Sequence, residues 1–391
     1  MRPSSSRSEG LFDGVLGRGA VPAAVGDEAF VAALLRVEAA LARAQAALGL
    51  VPAEAAADIG AACAELDPPI AALGADATGS GNPVVPLVAA IRAALPAEVA
   101  AYVHKGATSQ DIMDTAFMLV ARDALGAITA DGRAAADAAA GLARTYRDTP
   151  MAARTLLRQA VPTTFGLKAA GWLVALDAAI ARVSAVRVGR LAVQYGGPAG
   201  TLGGLDGSGV LLTAQLATEL GLVEPVLPWH TDRTRVAELA TAVGELAGVA
   251  GKIARDITLL AQDEVGEVGE AAPGGSSSMA HKRNAVAAVS VLGAALTTPG
   301  LVASLLAAMV QEHERAAGAW HAEWLPLRQL LIATGSAVAW LRTSLAGLSV
   351  DTARMASNLD SLVATLGGRD PGESATLVDR ALAAHDTAEA V

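Results

Sequence analysis

The sequence predicts an all-α protein built on a bundle of long helices. Alanine is abundant and aromatic residues make up only 3% of the 391 residues. This composition favours helices, because alanine is the best helix former and strands prefer branched and aromatic side chains. Apolar residues also recur at spacings of three and four between Val236 and Leu260. That spacing predicts one long helix whose narrow apolar seam packs on near-parallel neighbours.

The other elements follow in chain order. Residues 1–26 are predicted to be a loosely ordered arm, and Asp27 is a candidate cap for the first long helix. Residues 154–166 are interpreted as a polar, proline-marked connection. Apolar spacing predicts helices over residues 27–48, 53–66, 85–95, 116–147, 167–194 and 324–346, and short helical pieces over 347–391.

The apolar segment 285–310 is a candidate membrane span. It contains no charged residue and is long enough to cross a bilayer. Pro299 and Gly300 interrupt it midway, and much of it is alanine rather than leucine or isoleucine. We therefore predict a buried core helix with a kink or break at Pro299 and no membrane span.

The overall charge restricts the class of partner. A formal net charge of -10 argues against nucleic acid or an anionic membrane, since both require a positive protein surface. A small anionic substrate needs only a local positive cluster. Cys63 is the single cysteine and the first residues carry no secretory signal, so a reducing, cytoplasmic location is predicted. No two histidines have helical ligand spacing with a carboxylate, and no metal site is predicted.

The loop 274–284 is the strongest catalytic candidate. Its glycines and the preceding Pro273 break regular structure, while it carries three serines, a histidine, Lys282, Arg283 and Asn284. We interpret it as a mobile catalytic flap. The plain alternative makes Ser276 a turn serine and the two cations surface charges. Only a local field, from Lys282 or from loop amides, makes a serine alkoxide accessible.

A second candidate lies at residues 104–111, before an apolar helical run. Hydroxyls and free backbone amides at a helix start form a natural carboxylate site, because the unsatisfied donors meet the positive end of the helix dipole. The alternative is a plain helix cap by Thr108 or Ser109.

Five ordered stretches carry a resemblance to a known family. The run GGSSSMAHKRN (274–284) resembles the signature of the fumarase/aspartase superfamily, which has the pattern serine-serine-x-methionine-proline-x-lysine-x-asparagine. Four more stretches are similar to one branch, the bacterial 3-carboxy-cis,cis-muconate cycloisomerases. They are HKGATSQDIMDTA (104–116), RTLLRQAVPTTFGLKAAGW (154–172), QYGGPAGTLGGL (194–205) and QEHERAAGAWHAEW (311–324).

The resemblance implies a fumarase/aspartase-like homotetramer with a long helical bundle, small flanking helical domains and active sites formed between subunits. It implies an N-terminal domain over 1–103, the bundle domain over 104–346 and a shortened C-terminal domain over 347–391. Ser276 becomes the proton-transfer residue, and Lys282 and Asn284 support the charged intermediate and a carboxylate. No cofactor is implied. The implied binding residues for a polycarboxylate substrate are His104, Thr108, Ser109, Gln159 and Arg315.

Departures from the pattern separate the possible reactions. Adenylosuccinate lyases have a histidine where this chain has Leu156, and a histidine-aspartate-valine run where it has Asn82, Pro83 and Val84. Both losses suit lactone formation, because the nucleophile is a carboxylate that is already ionised near neutral pH.

Three further departures fall at Ala280 and Ala285, which replace prolines, and at Arg158, which replaces a glutamine. The predicted function is a cycloisomerase that forms carboxymuconolactone. The alternatives are a lyase that releases fumarate from a substituted succinate and a non-catalytic helical assembly protein.

Overall fold

A computed structural model describes residues 10–366 and 368–389, and the described residues are mainly helical. The helices are Asp13–Leu16 (α1), Val21–Ala24 (α2), Asp27–Ala47 (α3), Ala53–Glu65 (α4), Ile70–Asp76 (α5), Val84–Ala93 (α6), Ala97–Ala100 (α7), Ser109–Thr145 (α8), Phe165–Gly189 (α9), Gly209–Leu220 (α10), Thr234–Leu260 (α11), Val286–Ala295 (α12), Thr298–Ala307 (α13), Ala319–Ala346 (α14), Thr352–Leu366 (α15) and Ser374–Glu389 (α16). The strands are Pro150–Thr155 (β1), Arg158–Thr164 (β2), Val268–Glu270 (β3) and Leu348–Val350 (β4).

The all-α prediction is confirmed, and the long helices α8, α9, α11, α12 and α14 pack on one another around the main core. The seam predicted for α11 is buried at every position. Its members are Val236, Leu239, Val243, Leu246, Ala250, Ile253, Ile257 and Leu260. Because α8 has 37 residues and a helix rises 1.5 Å per residue, α8 spans about 55 Å and sets the length of the bundle.

The apolar segment breaks where the sequence predicts. Helix α12 ends at Ala295 and α13 begins at Thr298, with Pro299 in the first turn, where a proline costs no hydrogen bond. The prediction of full burial is wrong for the single chain, since Val289 and Leu296 are 55% and 69% exposed. By length and composition Phe165–Gly189 and Val286–Ala307 are apolar enough to cross a membrane, yet both pack on other helices of the bundle.

The prediction of a polar connection over 154–166 is also wrong, because most of this segment forms a β-hairpin. Strands β1 and β2 pair antiparallel, and their two-residue turn consists of Leu156 and Leu157. Both leucines have positive φ, at 51° and 64°. Hairpin turns of this kind normally carry asparagine and glycine, so the leucine pair gave no turn signal.

The terminal segments pack on the bundle. Residues 1–9 lie outside the described residues, but the indole of Trp340 donates to the carbonyl of Val15 at 2.8 Å, so the rest of the arm docks on α14. Helix α3 is capped by Gly26 rather than by Asp27, whose carboxylate pairs with Arg328. Within the short helical pieces predicted over 347–391, Gly367, Ala390 and Val391 lie outside the described residues.

A second core joins the N-terminal helices to the bundle. Helices α3, α4 and α6 bury their apolar faces against the first part of α8 and against α10. The start of α8 therefore lies in this second core, and the helix enters the main core from Met118 onward. The three-domain division at 103/104 and 346/347 stays a prediction.

Candidate active site

The loop 274–284 is irregular, as predicted, and a β-bridge closes its base. The backbone N–H groups of Gly274 and Asn284 each donate to the other's carbonyl oxygen at 2.9 Å. Nδ2 of Asn284 also donates to the carbonyl of Gly275 at 3.2 Å. Most residues between these ends are exposed. The loop is thus anchored at its two ends and open to solvent along its length.

Ser276 accepts hydrogen bonds from its own loop. The backbone N–H groups of Ser278 and Met279 lie 3.3 Å and 3.2 Å from its Oγ. Donors aimed at an oxygen stabilise negative charge on it. Of the two sources of a local field that the sequence left open, loop amides are therefore in place at Ser276. Lys282 is exposed on the same loop.

The start of α8 is tied to two other segments through one carboxylate. Asp111 accepts the backbone N–H of Thr108 at 2.9 Å, which is a capping interaction, and those of Gly196 and Gly197 at 3.0 Å. Its Oδ1 also lies 2.7 Å from Nε2 of His230. Thr108 is the N-cap of α8, so the plain-cap interpretation holds for its position. The buried carboxylate fixes the glycine turn against the helix start.

His104 and Ser109 border one groove beside this helix start. The groove has a volume of about 480 Å³ and is also lined by Arg92 and by aliphatic side chains of α6. Nδ1 of His104 lies 2.6 Å from Oε1 of Glu38, which is buried. Burial lowers the pKa of His104, but the hydrogen bond and the charge of Glu38 outweigh it and raise that pKa overall.

Arg315 is held at the same end of the bundle. Its guanidinium donates to Oε1 of Gln110 at 3.0 Å and to the carbonyl of Pro198 at 2.9 Å. Gln110 is fully buried, and its own Nε2 donates to the carbonyl of His230 at 2.8 Å. Since Gln110 directly follows Ser109, these contacts place Arg315 beside the start of α8.

A buried ionic cluster lies beneath this region, and the sequence analysis missed it. The Arg233 guanidinium lies between the carboxylates of Asp114 and Glu323, at 2.8 Å and 2.7 Å, and the indole of Trp320 donates to Asp114 at 3.0 Å. Burial raises the pKa of Glu323, although Arg233 opposes this. Asp114 stands among the apolar residues that follow the polar run 104–111, and it was the available signal, because buried charges need partners.

Gln159 lies at the opposite end of the bundle, on β2. It is exposed, and its Nε2 is 3.4 Å from the carbonyl of Asn358. Nearby, Arg154 donates to both carboxylate oxygens of buried Glu267, at 2.8 Å and 2.7 Å, and Nδ2 of Asn358 donates to the same carboxylate. A bidentate pair of this kind fixes the hairpin on the segment that leads into the flap.

The flap lies at this same end. Glu270, the last residue of β3, accepts the N–H groups of Ala287 and Ala288 at 3.0 Å and 2.9 Å, and the hydroxyl of Ser344 at 2.6 Å. These contacts fix the start of α12, which directly follows the flap. Glu270 therefore joins the flap to the end of α14.

The eight candidate residues thus form two groups. His104, Thr108, Ser109 and Arg315 lie at the start of α8, whereas Gln159, Ser276, Lys282 and Asn284 lie at the other end of the bundle. The length of α8, about 55 Å, separates the two ends. One chain does not bring all eight residues together.

Comparisons with known proteins give the chain its relatives. A family model described as lyase matches residues 22–300. The 3-carboxy-cis,cis-muconate cycloisomerase of Bradyrhizobium diazoefficiens is 49% identical over 357 residues, which are 90% of this chain and 79% of that protein. The nitrosuccinate lyase of Streptomyces davaonensis is 47% identical over 365 residues, which are 90% of this chain and 77% of that protein.

A solved structure extends the similarity to the fold. The 3-carboxy-cis,cis-muconate lactonizing enzyme of Pseudomonas putida superposes with a TM-score of 0.89 at 36% sequence identity. The superposition covers 96% of this chain and 99% of that one. The helical architecture is therefore shared over nearly the whole length.

Proposed function

We propose that this chain, which belongs to the lyase family of the fumarase/aspartase superfamily, is an enzyme. It closes 3-carboxy-cis,cis-muconate to its carboxymuconolactone. This reaction is a step of protocatechuate breakdown in the β-ketoadipate pathway of aromatic catabolism. The observation that carries the proposal is the 49% identity with a curated cycloisomerase over most of the chain. The reaction needs no cofactor, because it moves one proton and forms one carbon–oxygen bond.

The chemistry assigns a small set of tasks to the protein. A substrate carboxylate oxygen attacks the ring-closing carbon, and the π electrons move to the carbon alpha to another carboxylate. The resulting aci-carboxylate is stabilised by Lys282 and Asn284, and it takes a proton from the Ser276 hydroxyl. The N–H groups of Ser278 and Met279 stabilise the alkoxide that is left until it takes a proton from water. Ser276 thus transfers a proton and forms no covalent intermediate.

The attacking group also explains the tip of the hairpin. A carboxylate is ionised near neutral pH and requires no general base. Leu156 stands where related lyases carry a histidine, and it is 97% exposed at the turn. An apolar tip supports a reaction in which neither the nucleophile nor the leaving group exchanges a proton.

The start of α8 supplies the binding groups for a polycarboxylate. His104, Arg315 and the hydroxyls of Thr108 and Ser109 lie at this end, and the helix N-terminus adds partial positive charge. The net charge of -10 makes such a local cluster necessary, since the whole molecule does not attract anions. Gln159 adds an amide from the hairpin end.

The separation of the two groups supports an assembly with shared active sites. We assign the chain to a cytoplasmic homotetramer in which the start of α8 from one subunit meets the flap of another. The uncharged segment 286–310, which contains α12 and α13, exposes apolar Val289, Leu296, Leu306 and Val310. An exposed apolar stripe of this kind fits burial against a second copy of the chain.

A second function has one specific observation in its favour. The 47% identity with a nitrosuccinate lyase favours a lyase that releases fumarate from a substituted succinate. Loss of the ultraviolet absorbance of 3-carboxymuconate on adding the protein, with lactone formed, supports cycloisomerisation. Fumarate released from nitrosuccinate, with 3-carboxymuconate unchanged, would instead identify the lyase.

A further inference from the structure

Glu38 is a charged residue in an apolar core, and its position needs a reason. It lies on α3 in the N-terminal core and is 1% exposed. Its Oε1 is 2.6 Å from Nδ1 of His104, while its Oε2 has no hydrogen-bond partner among the described residues. A buried carboxylate with one partner is costly. A leucine would pack there at lower cost, so the carboxylate points to a role that acts through His104.

His104 is held in an unusual conformation beside this carboxylate. Its φ is 62°, in the left-handed region that few residues with a side chain adopt, and Gly106 follows with φ at 73°. Such backbone strain persists only where the surroundings fix it, and it is common at functional sites. Because Nδ1 faces Glu38, Nε2 is the ring nitrogen left for a ligand in the groove.

The groove has the composition of a carboxylate site. Arg92 lines it together with His104 and Ser109, and Arg92 is held beside the histidine because its guanidinium donates to the carbonyl of Val103 at 3.0 Å. The remaining wall is aliphatic and consists of Val84, Val85, Val88 and Ala89. A guanidinium, an imidazole and a hydroxyl over an aliphatic wall suit one carboxylate on a short hydrocarbon chain.

We propose that Glu38 is a positioning residue that keeps the His104 ring charged and oriented, so that its Nε2–H, together with Arg92 and Ser109, binds one carboxylate of the substrate. The inference rests on the proposed function and deepens it. This groove holds the carboxylate that distinguishes a tricarboxylate from the dicarboxylates of related lyases. Glu38 itself does not touch the substrate.

The charges around His104 agree with this role. Glu38 on α3 and Asp111 on α8 favour its protonated form, whereas Arg92 on α6 and burial oppose it. Asp111 already accepts three backbone N–H groups and faces His230. Cys63 on α4 stays neutral, because burial, together with the charge of Glu38, raises the pKa of its thiol to about 12. Glu38 is thus the anion in direct contact with the ring.

The sign of the pH dependence follows from the raised pKa of His104. The protonated ring binds the carboxylate, so affinity is full below that pKa and falls as the pH rises through it. Without the Glu38 charge, burial lowers the pKa of His104. The loss of affinity then begins at lower pH.

The test measures binding of tricarballylate and glutarate, which differ by one carboxylate, by calorimetry between roughly pH 5 and 9. The wild-type protein is expected to bind tricarballylate more tightly. Glu38→Gln is expected to weaken tricarballylate about tenfold at neutral pH, to change glutarate by less than about threefold, and to shift the loss of affinity toward acid. Glu54→Gln, at an exposed position on α4, is the matched control and should match the wild type.

The inference is overturned by equal loss of both ligands, by an unmoved pH profile in a folded Glu38→Gln protein, or by a wild type without preference for tricarballylate. Arg92→Met changes an exposed residue and is expected to remove the same preference for tricarballylate. It tests the groove if the Glu38→Gln protein does not fold. A wild type that leaves 3-carboxymuconate unchanged refutes the proposed function, and the calorimetric result still decides the role of Glu38.

Discussion

The two ends of the bundle are built in opposite ways. At the start of α8, Asp111, Asp114 and Gln110 are buried, and each makes several hydrogen bonds to neighbouring segments. At the other end, the loop 274–284 is exposed along most of its length and is held mainly at its base by Gly274 and Asn284. Rigid support suits residues that position a substrate, whereas an open glycine-rich loop suits one that closes over it.

The proposed roles place His104, Thr108, Ser109 and Arg315 at one end as carboxylate binders, and they place proton transfer by Ser276 at the other end. Since about 55 Å of helix separates them in one chain, the proposed function requires the two ends to come from different subunits. The assignment makes different demands on the two ends. Substitutions in the loop 274–284 should affect turnover. Substitutions in the ionic cluster beneath the start of α8 should affect stability, and substitutions at the surface of that end should affect binding.

The largest effect is expected from Ser276→Ala. The substitution removes the hydroxyl that is proposed to deliver the proton, and kcat should fall by at least about a thousandfold, or roughly 4 kcal/mol of barrier. Steady-state kinetics with 3-carboxymuconate measure this, with Ser361→Ala, at an exposed position on α15, as the matched control. Turnover within about tenfold of wild type would remove Ser276 from the proton-transfer role.

A substitution in the buried ionic cluster of Asp114, Arg233 and Glu323 tests whether the cluster stabilises the end of the bundle at the start of α8. Asp114→Asn removes one partner of buried Arg233 and leaves its charge only partly compensated. The free energy of unfolding should drop by about 3–5 kcal/mol, measured by denaturant titration. Asp58→Asn, at an exposed position on α4, should change it by less than about 0.5 kcal/mol. A loss below about 1 kcal/mol at Asp114 would mean that the cluster does not stiffen this end.

Arg315→Met tests binding at the surface of the same end. Loss of a charge-assisted contact to a carboxylate is worth about 1.5–3 kcal/mol, so KM should rise by about tenfold to a hundredfold. The kcat at saturation should change far less than it does in Ser276→Ala. Arg36→Met, at an exposed residue of α3, is the control. A fall in kcat with unchanged KM would place Arg315 in the chemical step instead.

The smallest effect is expected at the hairpin tip. Replacing Leu156 and Leu157 with Asn and Gly supplies the residues that this turn prefers and relieves two left-handed leucines. The protein should gain about 1–2 kcal/mol of stability in thermal unfolding. Its kcat/KM should nevertheless fall if the proposed assembly brings the tip to the substrate. Gained stability with unchanged activity would place the tip outside the shared site.

The sequence was sufficient for the parts of the fold that rest on regular spacing. The apolar positions of α11 and the break at Pro299 follow from helix periodicity and from the missing proline amide, so both could be read without coordinates. The hairpin could not, because Leu156 and Leu157 are poor turn residues that only the tertiary structure holds in place.

The site was predictable to a similar degree. The flap and the start of α8 stand out as polar loops next to apolar helices. Glu38 and Glu323 do not, because they lie within segments that otherwise look like helical core. Partners such as Glu38 and His104 are 66 residues apart. No local pattern links them, and only the packing of α3 against α8 brings them together.

The most direct test of the central claim, that the two ends meet between subunits, is activity from mixed variants. Ser276→Ala and Arg315→Met proteins are each assayed alone at low substrate, then dissociated, mixed in equal amounts and reassembled. Random mixing leaves both groups intact in about a quarter of shared sites, so activity should return to roughly that fraction of wild type. A mixture no more active than the average of its two components would contradict the account.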